Sequence, residues 1–95
     1  FGRWAAVVLS ADNKRHFWIP EGFAHGFQAL SERAVFTYLC TAHYAREADA
    51  GIRWNDAALA IDWPVAEPLL SDKDARAPFL ADVPAERLPL YRPLA

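Results

Sequence analysis

"WIPEGFAHGFQALSERAVFTYLCTAHY", residues 18–44, decides how the chain is read. Within it, Phe23, His25, Phe27 and Ala29 alternate with Ala24, Gly26, Gln28 and Leu30. An alternation of period two is the pattern of a strand with two distinct faces. Further on, Phe36, Tyr38 and Cys40 share a face against Thr37, Leu39 and Thr41. Between the two segments, "SER" at 31–33 reads as a turn. The pair therefore reads as a hairpin whose loop length fixes the register. A two-residue loop at 31–32 sets Leu30 against Arg33 and His25 directly opposite Tyr38. A four-residue loop at 31–34 makes His25 and Tyr38 diagonal neighbours, roughly 7–8 Å apart. Both even registers place an imidazole and a phenol on one aromatic wall, whereas an odd loop would separate them onto opposite faces.

Outward from the hairpin, the first half continues in the same style. Apolar runs at 3–9, 15–19, 23–30 and 34–41 are separated by turn signals in "SADNK" (10–14), "PEG" (20–22) and "SER". Turns about every ten residues predict an antiparallel sandwich or barrel, not βαβ units. After Ala42 the pattern changes. "AREADAG" (45–51) is a polar loop or a helical turn, and "IRW" and "AIDW" read as short strands around "NDAAL". "SDKDARA" (71–77) opens on Ser71, a good N-cap, with Asp72 and Asp74 where a helix dipole favours negative charge. Prolines at 78, 84, 89 and 93 predict an extended strap or a disordered tail.

Composition narrows the function classes. Ninety-five residues, 54 % hydrophobic and 23 % charged, suit one folded domain and exclude a disordered chain. A net charge of −2 with dispersed basic residues gives no nucleic-acid footprint. No apolar run approaches the roughly 18–20 residues of a membrane helix, and no signal-peptide pattern opens the chain. Cys40 stands alone, which excludes an internal disulfide framework and is compatible with a reducing compartment. The chain has no methionine, so it reads as a piece of a longer protein or as one processed at its N-terminus.

His25 has two readings. A histidine and a tyrosine among phenylalanines are commonly core residues whose polar tips find backbone partners. Alternatively, they face a ligand. "PEGFAH" also fits the P-x-G-x-x-H spacing by which cupin-type barrels present a histidine to a metal. One histidine is not a metal site, and His16 and His43 have no partner pattern.

"WIPEGFAHGF", the paired tyrosines of "YLCTAHY", "GIRWND", "IDWP" and "PLLSDKD" follow one another in an order and spacing that resemble the C-terminal half of the dTDP-4-dehydrorhamnose 3,5-epimerase family. The resemblance runs from Phe1 to Pro78 and leaves 79–95 as a Pro-rich tail. It implies a mainly β fold: a cupin-type jelly roll, or double-stranded β-sandwich, incomplete at its N-terminal side and ending in a short helical segment. It also implies a cytoplasmic homodimer that needs no metal and no cofactor. The implied reaction inverts carbons 3 and 5 of dTDP-4-dehydro-6-deoxyglucose in dTDP-rhamnose biosynthesis. Relatives with narrower chemistry act at one carbon only, and a non-catalytic binding or dimerisation module is the alternative from another class.

By position, the resemblance implies that Tyr38 is the proton donor and Asp74 the carboxylate that orients the catalytic base. It makes His25 a substrate contact and Tyr44 the aromatic that stacks on thymine. Asp49 and Lys73 match further substrate contacts, Lys73 near the diphosphate. Two departures matter. The family's basic histidine, in an "RGLHYQ"-like segment, has no counterpart here, and Leu39 and Cys40 replace the more usual "KT".

Overall fold

Ser10 and Asn13 close the first turn between themselves. The Asn13 Oδ1 accepts from the backbone N–H of Ser10 at 3.1 Å and of Arg15 at 3.0 Å. In return the Ser10 Oγ accepts from the Asn13 N–H at 3.0 Å, while Asn13 Nδ2 donates to the Val8 carbonyl at 2.8 Å. Side chains of this kind imitate backbone partners, which is why they favour turns. Lys14, with φ 54°, completes the reversal in the left-handed region and donates to the Ser10 carbonyl at 3.0 Å. The computed structural model describes residues 1–91, and the turns expected at 20–22 and 31–33 fall where the sequence placed them, with a further bend at 41–42 that it did not. Glu21 and Gly22 form the second, with Gly22 at φ +90°, and bends follow at Ser31–Glu32 and Thr41–Ala42.

The segments between those turns correct the expected fold. Among the described residues there is no strand, so no jelly roll or β-sandwich is formed. A turn is satisfied by groups a few residues apart, whereas a strand exists only when another backbone accepts and donates along its length. High β-propensity states a fitness for a paired, half-buried surface and cannot create the partner. A two-stranded hairpin alone is marginal in water. The segments "IRW" and "AIDW" are likewise not strands: turns occupy 54–55 and 57–59.

The second half is organised by short-range turns tied together over distance. A 3-10 turn spans Arg46–Ala48, and helix α1 spans Asp72–Ala75. As expected, Ser71 caps α1, its Oγ accepting from the Asp74 N–H at 3.1 Å. Two further 3-10 turns, Leu80–Asp82 and Ala85–Arg87, shape the tail, which returns across the molecule to Gly22 and Phe23. The part of the expected tail at 92–95 lies outside the described residues.

Asp56 is the centre of this half and, at 6 % exposure, the one buried polar residue among those described. Its Oδ1 accepts from the Ala58 N–H at 2.9 Å and its Oδ2 from the Leu80 N–H at 2.7 Å. Its carbonyl accepts from the Leu59 and Ala60 N–H groups, both at 3.1 Å. Beside it, the Arg53 N–H donates to the Pro78 carbonyl at 2.8 Å, and the Arg53 guanidinium lies 4.9 Å from the Phe79 ring centre. Trp63 Nε1 donates to the Trp54 carbonyl at 2.7 Å.

No large hydrophobic side chain is buried among the described residues. The accessible surface is 9286 Å², against about 5,500 Å² for a folded monomer of this mass and about 15,500 Å² for its unfolded chain. The Cα radius of gyration is 14.4 Å, compared with about 12 Å for a compact domain of this length and about 30 Å unfolded. The chain is collapsed, but its apolar surface is not covered from within.

Candidate functional site

Three residues from separate parts of the sequence meet on one carboxylate oxygen. Tyr44 leaves the bend at 41–42, Asp49 terminates the 3-10 turn Arg46–Ala48, and Lys73 lies within α1. The Tyr44 hydroxyl donates to Asp49 Oδ2 at 3.1 Å, and Lys73 Nζ donates to the same oxygen at 2.6 Å. The Asp49–Lys73 link spans 24 residues, so it depends on how the loop and the capped helix are set against each other. All three positions were singled out from the sequence, and the structure brings them together.

The charges reinforce one another. The Lys73 ammonium, foremost, and the Tyr44 hydroxyl hold the Asp49 carboxyl below the usual carboxylate range. The hydrogen bond to Asp49 pushes the Lys73 ammonium up, and the nearby charge of Asp74 adds a smaller push in the same direction. The Tyr44 phenol is also raised, chiefly because its proton is held by the carboxylate. Near neutrality the cluster is a cation, an anion and a neutral phenol, all open to water. It can receive a ligand that offers both an anionic group and a flat ring.

A second grouping lies on the aromatic segments. Phe27 and Phe36 stack with centroids 4.0 Å apart and planes 11° from parallel, and Phe36 meets Tyr38 at 5.4 Å. Direct stacking of Phe27 on Phe36 is the contact expected for a two-residue loop at 31–32, the register that sets His25 against Tyr38. His25 and Tyr38 are both exposed, Tyr38 at 69 %. Among the described residues neither makes a hydrogen bond to Asp74 or to the Tyr44–Asp49–Lys73 cluster. The structure thus gathers Tyr44, Asp49 and Lys73, with Asp74 next after Lys73 in α1, while Tyr38 lies against Phe36 and His25 is exposed.

Sequence reasoning passed over two residues that shape this surface. Asp56, within "GIRWND", carries no local signal of its role, because its partner Leu80 is 24 residues away. Gln28 was placed on the face opposite His25. Its side-chain amide donates to the Val65 carbonyl at 3.3 Å and accepts from the Val65 N–H at 3.1 Å. Gln28 thereby ties the histidine-bearing segment to the loop that, with Trp54, Asp56 and Trp63, lines an open depression of about 270 Å³. An amide is a natural side chain for such a clamp, since it offers a donor and an acceptor side by side without a change of protonation.

The clearest polar arrangement outside the Asp56 network is thus the exposed lysine–carboxylate–phenol cluster of Lys73, Asp49 and Tyr44. The family described as dTDP-4-dehydrorhamnose 3,5-epimerase matches residues 1–82, and the chain belongs to it. It is 56 % identical over 81 residues to the dTDP-4-dehydrorhamnose 3,5-epimerase of Salmonella typhimurium, covering 84 % of this chain and 44 % of that protein. With the Escherichia coli protein of the same description, identity is 57 % over 77 residues, 80 % of this chain and 42 % of the relative. The Mycobacterium tuberculosis relative, again so described, is 44 % identical over 91 residues, 93 % of this chain and 45 % of its own length. The chain therefore spans rather less than half the length of these relatives. No solved structure matches. No helix among the described residues is long and apolar enough to cross a membrane.

Proposed function

We propose that the chain supplies the C-terminal part of a sugar-nucleotide 3,5-epimerase, with residues 1–78 forming the enzyme portion and 79–95 the tail. The observation that carries this reading is the convergence of Tyr44, Asp49 and Lys73, within a segment that belongs to the epimerase family. In this reading the substrate is dTDP-4-dehydro-6-deoxyglucose. The Tyr44 ring stacks on its thymine, Lys73 faces its diphosphate, Asp49 holds both side chains in place, and His25 contacts the sugar. The protein works in the cytoplasm as a homodimer.

The chemistry follows from the 4-keto group, which acidifies the protons on carbons 3 and 5. A base removes one of these protons, and the electron pair of the broken C–H bond moves onto the keto oxygen as an enolate. Tyr38 then delivers its phenolic proton to the opposite face of the carbon, which inverts the centre. Stabilising the enolate oxygen in a water-poor cavity lowers the barrier further. Asp74 orients the histidine that acts as base, and that histidine comes from outside these residues. A relative acting at one carbon only would use the same groups once.

The test is turnover of dTDP-4-dehydro-6-deoxyglucose by this chain, alone and then mixed with the N-terminal half of a full-length relative. The chain alone is expected to be inactive, and the mixture active. Robust turnover by the chain alone would place the base among His16, His25 and His43 and overturn the assignment of roles. No turnover from a mixture that has formed a stable β-rich complex would favour a binding or dimerisation module, a reading supported by the uncovered apolar surface.

A further inference from the structure

The backbone at Gly22 is approached from an unexpected direction. A Cβ added there would lie 2.9 Å from the Leu90 carbonyl oxygen, 2.9 Å from the Tyr91 Cα and 3.0 Å from the Tyr91 nitrogen. Distances below about 3 Å are closer than a methyl group tolerates, so only glycine admits the tail here. Next to this contact, the Phe23 and Tyr91 rings meet edge to face, 5.0 Å between centroids and 83° between planes. At its other end the same tail is fixed by the Asp56 carboxylate on the Leu80 N–H, by the Arg53 N–H on the Pro78 carbonyl, and by Arg53 over Phe79. Pro84 and Pro89 restrict the connecting backbone, which reduces the entropy lost when it docks.

We propose that residues 78–91 form a strap, anchored at Asp56 and docked on Gly22, that positions the turn from which the His25 segment departs. The outer part of the strap, 83–91, lies beyond the family match. Only Phe23 and Ala24 separate Gly22 from His25, so a shift of the turn moves the imidazole with it. Tyr91 and Asp56 are positioning residues in this scheme: they act through the turn and touch no reacting group. The inference rests on the proposed function only for the consequence to His25, since docking itself needs no substrate.

Hydrogen exchange read by mass spectrometry tests the docking on the full chain. Comparison is made with a chain ending at Leu88 and with Gly22→Ala in each background. Removing 89–95 should speed exchange at residues 20–26 and leave 53–59 unchanged, because the Asp56 anchor remains. Gly22→Ala strains a backbone at φ +90° in both chains, but the clash with Leu90 and Tyr91 exists only in the longer one. The four chains form a cycle in which backbone strain cancels and docking remains as a coupling of about two- to a hundredfold in protection. In the full chain, Tyr91→Phe should keep protection and Tyr91→Ala should lose it. Strictly additive effects of truncation and Gly22→Ala, or unchanged exchange at 20–26 on truncation, would overturn the strap. The consequence for the His25 segment is read separately, as a change in the backbone amide chemical shifts of residues 23–25 when Tyr91 becomes Ala in the intact chain; unmoved shifts would overturn the positioning of that segment by the strap.

Discussion

Residues 1–44 and 45–91 obey the same physics with opposite outcomes. In the first half, turns form at their expected places and the extended segments between them find no ladder partner. In the second, short turns are joined by bonds across 24 residues, Asp56 to Leu80 and Asp49 to Lys73, and a small network stands by itself. The contrast separates two kinds of instruction. Caps, Asx-type turns and side-chain clamps carry both partners within the segment or deliver a charged group to a known backbone N–H. Strands carry only half of each hydrogen bond. A sheet is therefore legible as intention and absent as structure until a second backbone lies alongside.

The largest effect expected from this comparison comes from supplying that backbone. Mixing the chain with the N-terminal half of a relative should convert the extended segments of 1–44 on either side of the strap-docked turn at 20–26 from unprotected to strongly exchange-protected, while 51–82 changes little. Circular dichroism should show the accompanying gain of β signal. Equal gains in both halves would erase the distinction drawn here. In the reconstituted enzyme, Tyr38→Phe keeps the ring against Phe36 and removes the transferable proton. Epimerisation should fall by about 10²–10⁴-fold, with solvent deuterium still washing into the ring carbon because the base still acts. Unchanged turnover would remove Tyr38 from the mechanism.

Smaller effects probe the second half. Asp56→Ala leaves the Ala58 and Leu80 N–H groups without their acceptor, at a cost of about 1–3 kcal/mol for each that stays buried. Urea titration followed by tryptophan fluorescence should register this as a lower midpoint, since Trp54 and Trp63 sit beside the network. Ser71→Ala removes the cap of α1 and should cost about 1 kcal/mol, with Ser71→Asp largely restoring it. Its signature is faster exchange at Asp74 with Asp56 and its partners unaffected.

The Asp49 cluster should show the gentlest response, to pH and salt. The folded pKa of Asp49 is depressed, so its contribution is present above the ordinary carboxylate value and disappears as pH falls through the folded one. Lys73 is raised, so its share is complete below the ordinary lysine value and disappears as pH rises through its higher folded one. The Lys73–Asp49 contact should hold across the neutral range and fail at both extremes. Carboxyl-carbon chemical shifts of Asp49 give the acid limb directly. Because both groups are open to solvent, raising the ionic strength should weaken the contact throughout. A salt-independent titration would mean that the pair is sheltered.

What could be read from the sequence follows the same division. Ser71, with Asp72 and Asp74 behind it, announced a helix start because capping is a conversation between neighbours. Ser10 and Asn13 announced a turn for the same reason. The Tyr44, Asp49 and Lys73 positions were legible by resemblance, and their meeting point was not, since no local pattern encodes the distance from a 3-10 turn to a helix. Asp56 was invisible because an aspartate after an asparagine looks like ordinary loop chemistry until Leu80 arrives. The strand expectation failed at the step from propensity to pairing. "FTYLC" states which side chains prefer a pleated surface, and Leu39 is nevertheless fully exposed.

The Ser10–Asn13 turn has a consequence in time as well as in space. Its bonds connect residues no more than five apart, within the span of loops that close in about 10–100 ns. The chain can thus reverse direction on its own, long before any β-pairing on the microsecond scale is complete. The direction of the chain is then already reversed between Val8 and Arg15, so an arriving strand meets a preformed bend instead of a loose coil. The slow search is left to contacts between distant segments, and the first hairpin starts with its corner already turned.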